Sequence, residues 1–68
     1  MYAITYLIND KKNNRKIKGI AGVSKTSKKA RIKFNEFKGI YRETKFAIVN
    51  KSYKELLKMN EGGELQYV

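Results

Sequence analysis

The sequence predicts a small α+β domain with a single sheet, in β-β-α-β-α-β order, with the helices on one face of that sheet. Three observations predict it. Tyr2–Ile8 is rich in β-branched and aromatic residues and carries no charge, as expected of a covered strand. Ala30, Phe34, Phe37 and Tyr41 recur at the spacing of one helical face. Ser52-Tyr53-Lys54-Glu55 spells a capping box ahead of a second apolar run.

Each element follows in order. In the first strand Tyr2, Ile4, Tyr6 and Ile8 share one face and Ala3, Thr5 and Leu7 the other. Neither face is charged, so the strand is central and covered on at least one side. Asn9-Asp10-Lys11-Lys12-Asn13-Asn14 is a polar turn, built from residues that tolerate left-handed backbone and bond locally. A second strand over Arg15–Val23 completes a hairpin, and Gly19 and Gly22 predict a bulge or a close backbone approach in it. Ser24–Ser27 supplies hydroxyls for a helix N-cap.

Residues 28–38 admit two readings. As a helix they gather Ala30, Phe34 and Phe37 inward, surround them with Lys28, Lys29, Arg31 and Lys33, and stop at Gly39. As a strand they alternate Ala30, Ile32 and Phe34 with Arg31, Lys33 and Asn35, but a hairpin at Lys38-Gly39 then sets Phe34 against Glu43 and Ile32 against Lys45, a poor match of faces. The helix is the better reading. Thr44–Val49 is a third strand. The capped helix after Ser52 presents Tyr53, Leu56 and Leu57 and ends at Asn60, Gly62 and Gly63. Glu64–Val68 is a final strand with Leu65 and Tyr67 on one side. Phe34, Phe37, Phe46, Leu56 and Leu57 are the expected core.

The chain has 68 residues, one domain spanning 1–68 with a small core. It has no Cys and no His, so disulfides and zinc are excluded and stability must come from apolar packing or from a homodimer. No apolar run approaches a membrane span and no basic flank precedes a signal-like stretch. The expectation is a soluble, unprocessed, cytoplasmic protein.

Charge is distributed unevenly. Residues 1–35 hold ten Lys/Arg and one acid, Asp10, while residues 36–68 hold six Lys/Arg and five Glu. The formal net charge of +10 is therefore split into +9 and +1. Lys, Asn, Ile, Tyr and Phe make up 34 of the 68 residues, a bias that A/T-rich codons produce, as in low-GC bacteria and their phages. Such codons also favour Glu, so they explain the lysines but not the missing acids before Glu36. A field of this sign opposes compaction and points to a polyanionic partner.

The cations form two groups: Lys11, Lys12, Arg15, Lys16 and Lys18 on the hairpin, and Lys25, Lys28, Lys29, Arg31 and Lys33 across the break and the helix start. Together they are read as one continuous phosphate-contacting surface, against the plainer reading of two solvated faces. Ser24, Thr26 and Ser27 can donate to phosphate or cap the helix. Lys28 and Lys29 oppose the helix dipole, a cost that an anion there would offset. Tyr2 and Tyr6 can stack bases, although a sheet face packed under a helix is the simpler use of both rings.

Catalysis is not expected. The usual general base and the best nucleophile are absent, the acids form no paired cluster for a metal, and Gly19-Ile20-Ala21-Gly22 lacks the spacing of a phosphate loop. No cofactor is implied. The basic hairpin and the Lys54-Glu55-Leu56-Leu57 helix resemble in layout the small chromatin proteins of thermophilic archaea. That resemblance implies the alternative fold, a small SH3-like β-barrel with a C-terminal helix, and requires residues 29–37 to be a strand. The expected function is non-catalytic nucleic-acid binding (DNA or RNA) by phosphate contact. The alternative is a phage or mobile-element inhibitor that docks an acidic protein surface of a host.

Overall fold

The computed structural model describes residues 1–60 and 63–68. The uncharged first stretch becomes β1 (Tyr2–Asp10), the middle strand of a three-stranded antiparallel sheet. It is flanked by β2 (Arg15–Ser24) and β3 (Lys45–Asn50), in the order β2-β1-β3. The turn between β1 and β2 is tied by Asp10. Its Oδ2 accepts from Asn13 Nδ2 at 2.9 Å and from Arg15 Nε at 3.4 Å. Asn14 takes φ 50°, a left-handed conformation that asparagine adopts at little cost.

The predicted irregularity in β2 is present. Ile4 opposes Gly22 and Thr5 opposes Ile20, so Ala21 is the extra residue of a bulge. Tyr6 opposes Gly19, and a Cβ on Gly19 would meet Tyr6 Oη at 2.6 Å. The ring lies over bare glycine backbone, and the glycine is needed for that contact.

The ambiguous segment is a helix, α1 (Ser27–Ile40). Ser24 Oγ accepts from the Thr26 N–H at 3.1 Å, and Thr26 Oγ1 caps the helix by accepting from the Lys29 N–H at 3.3 Å. Gly39 does not stop the helix, as its composition suggested. The helix continues to Ile40, and the Tyr41 N–H donates to the Phe37 carbonyl at 2.8 Å. These two further residues are held by aromatic packing, since Tyr41 lies 6.3 Å from both Phe37 and Phe46. Ile32, 51% exposed, points away from the sheet. The SH3-like barrel, and with it the layout shared with archaeal chromatin proteins, does not hold, because it needs a strand where α1 stands.

The second helix, α2 (Tyr53–Met59), is capped by Ser52 Oγ, which accepts from the Glu55 N–H at 3.2 Å. Only this half of the capping box is made. The exposed Glu55 carboxylate stands 3.9 Å from Lys51 Nζ instead of returning to the Ser52 N–H. Asn60 closes the helix through its N–H to Leu56 O. Gly62, expected to help end it, lies outside the described residues, as does Glu61.

The helices lie on opposite faces of the sheet, not on one. Phe37 of α1 stacks on Phe46 at 5.7 Å, and Phe46 pairs with Tyr6, so α1 covers the Ile4–Tyr6 face. Leu56 of α2 packs with Ala3, Val23 and Leu65 on the other. Over Tyr2–Ile8 both faces of β1 are uncharged, and each receives its own cover. Each half-core is thin. Ile4 and Ala30 are fully buried, as are Ala3, Val23 and Leu56; a fully buried Leu side chain contributes about 1.5–3 kcal/mol. Leu57 was expected in the core but is 41% exposed, because Leu56 takes the inward position of so short a helix.

The last segment makes a bridge rather than a strand. The Val23 N–H donates to Gln66 O at 2.7 Å and the Val68 N–H to Val23 O at 2.9 Å, a parallel bridge on the outer edge of β2. Leu65 turns into the core and Tyr67 stays 59% exposed. Among the described residues no helix is long and apolar enough to cross a membrane.

Candidate nucleic-acid interface

The ten predicted cations separate into two places. Lys11 and Lys12 sit in the hairpin turn and Arg15, Lys16 and Lys18 open β2, all five exposed. Lys25 follows β2 at its far end, and Lys28, Lys29 and Arg31 are exposed on the first turns of α1. Lys33 is half-buried and bonds Glu36 Oε2 at 3.0 Å. Seven residues of extended chain separate Lys18 from Lys25, about 23 Å at a strand rise of about 3.3 Å. The two groups therefore bracket the sheet instead of forming one unbroken patch.

Side-chain direction divides them further. Arg15 pairs with Asp10 and shares the α1 face with Tyr6 and Ile8. Lys16 and Lys18 pair with Asn9 and Leu7 and so point to the opposite face. Asp10, the one acid in this half, is occupied by the turn. The Asn13 side-chain amide holds its carboxyl below the ordinary value, aided by the Asn13 N–H and by Arg15. Its one negative charge is paired locally with Arg15, and among the described residues no carboxylate stands within 4.0 Å of Lys11, Lys12, Lys16 or Lys18.

Lys45 belongs with the hairpin cations although the sequence did not single it out. It pairs with Leu7 from β3 as Lys18 does from β2, so two lysines flank Leu7 on one sheet face. The alternation of Lys45, Ala47 and Val49 against Phe46 and Ile48 signalled a shared face; only the strand pairing brings that face beside Lys18. Tyr2 and Tyr6 lie half-buried on the face under α1, so packing is the use of these rings that the structure displays. Ser24 and Thr26 serve as caps.

No protein-family model matches the chain, and neither a curated protein nor a solved structure matches it.

Proposed function

We propose that this protein binds nucleic acid without catalysis, through the phosphate backbone and from two basic ends. One observation carries the reading. Among the described residues only Arg15, Lys33 and Lys51 stand within 4.0 Å of a carboxylate, so most of the excess charge is displayed to solvent with no internal use. Displayed cations with little local opposition release counterions from a polyphosphate on contact. The spacing supports a duplex. Arg15, the hairpin cation on the α1 face, stands ten residues from Lys25, about 33 Å or about ten base-pair rises of 3.4 Å, a span that one double helix offers to the hairpin and the α1 start together. We assign its work to the cytoplasm, where a chain without cysteine loses nothing to reducing conditions.

The test is fluorescence anisotropy with labelled single- and double-stranded DNA and RNA at several salt concentrations. If about five phosphates are contacted, log K against log salt should fall with a slope of about −4 to −5 on duplex DNA. Charge reversal at Lys11, Lys12, Arg15 and Lys16, or at Lys28, Lys29 and Arg31, should weaken binding severely. Reversal at Lys51, Lys54 and Lys58 should do far less. Absence of binding to any polynucleotide at ~50 mM salt overturns the reading. Equal losses from all three sets would show that net charge alone drives binding.

A further inference from the structure

The sheet face that α1 does not cover is only partly covered by α2. Beyond Met59 it opens into a cleft of about 600 Å³, within the size range of ligand sites. Its floor is mostly aliphatic: Leu7, Ile20, Ala47 and Val49, with Met59 at the side and Thr5 among them, whose hydroxyl donates to the Ala47 carbonyl at 3.3 Å. Tyr6 and Phe46 reach it through backbone alone, because their rings lie on the α1 face. Lys18 and Lys45 stand on either side of Leu7, about 10 Å apart at two strand spacings. Lys16 follows Lys18 along the same face, and none of the strand residues on this face is an Asp or Glu.

We propose that this cleft docks an amphipathic segment of a partner protein, aliphatic along one stripe and acidic beside it. Charge complementarity and the floor select that occupant. The floor offers no ring on which a base could stack. Its concavity gives a lipid bilayer nothing to receive. A second copy of the chain would bring the same three lysines against themselves. A single-headed amphiphile would use one lysine and leave the others unmatched, whereas carboxylates spaced along a peptide meet Lys18 and Lys45 together. The apolar stripe supplies affinity and the lysines fix direction and raise the on-rate. This inference does not depend on nucleic-acid binding.

The probe is a fluorescein-labelled helical peptide with a Leu stripe flanked by Glu, measured by anisotropy against the intact protein. Controls are a peptide of equal composition with the stripe scrambled, one with Leu replaced by Ser, and laurate and oligothymidylate as competitors. Saturable binding is expected for the striped peptide, about tenfold weaker for both control peptides. It should also weaken about tenfold with Lys45→Glu, a side chain exposed enough to change without unfolding the domain. Ala47→Gln, also exposed, should obstruct the floor without altering charge and weaken binding similarly. Lys28→Glu with Lys29→Glu, on α1, should reduce oligonucleotide binding and leave the peptide unaffected, which separates the two readings. Equal affinity for striped and scrambled peptides, or no saturable binding, overturns the proposal. Displacement by laurate at one equivalent would make the cleft an amphiphile site instead.

Discussion

Two glycines give opposite expectations for the same substitution. Gly39 lies inside α1, and a Cβ built on it meets nothing within 4 Å. Gly39→Ala removes backbone freedom from the unfolded chain and fills no occupied space, so it should stabilise by about 0.5–1 kcal/mol. In a domain of this size that is a rise in Tm of about 2–8 °C. Gly19 lies under the Tyr6 ring, where a Cβ would fall 2.6 Å from Oη and 2.8 Å from Cζ. Gly19→Ala must swing an aromatic ring that packs on the α1 face, and overpacking of this kind costs about 1–3 kcal/mol. Its Tm should fall by about 4 °C or more. Circular-dichroism melts of the two variants beside the parent, at one concentration and salt, measure both. A Gly39→Ala protein that melts lower than the parent would refute the helix running through residue 39. A Gly19→Ala protein that gains as much as Gly39→Ala would refute the ring-over-glycine packing.

Other outcomes follow from single side chains. Ile32→Lys should keep a cooperative melt near the parent's, because that side chain leaves α1 into solvent; a collapsed fold would restore the strand. Asp10 bears on acid stability. Its folded pKa is depressed, so its contribution is complete above the ordinary value of 3.8 and is lost as pH falls through the lower folded value. A carboxyl-carbon NMR titration should place the Asp10 midpoint below 3.8 and show it rising in Asn13→Ala, because the Asn13 amide is the main cause. A midpoint indifferent to Asn13 would refute that turn geometry.

Local chemistry was the most legible part of the fold. The strand at Tyr2, the Asn/Asp turn, the bulge beside Gly22 and the Ser52 cap follow from residue type and short spacing, and all are present. The helical choice for residues 28–38 came from comparing the faces that each alternative would bury. What escaped was decided by contacts between distant segments. Gly39 reads as a stop unless Tyr41 is known to pack against Phe37 and Phe46. Both helices were expected on one face because the sequence does not state which face of β1 each must cover. Glu64–Val68 alternates like a strand but finds only the Val23 end of β2. The candidate site was legible as a list of lysines and not as a layout. The separation of its two groups and the partnership of Lys18 with Lys45 arise from strand register.

The outer edge of β3 has a consequence for behaviour in bulk. Among the described residues β3 pairs with β1 alone, so its far side presents a row of backbone groups with no strand beside them, able to recruit another chain. Of its residues, Lys45-Phe46-Ala47-Ile48-Val49-Asn50, one carries a charge, which is a weak local guard. Colloidal repulsion from the net +10 protects this edge at a distance. A polyanion that neutralises the molecule removes that protection at the moment it binds. Mixtures near charge equivalence should therefore be prone to coacervation or sheet-edge growth, while an excess of either component keeps the particles apart.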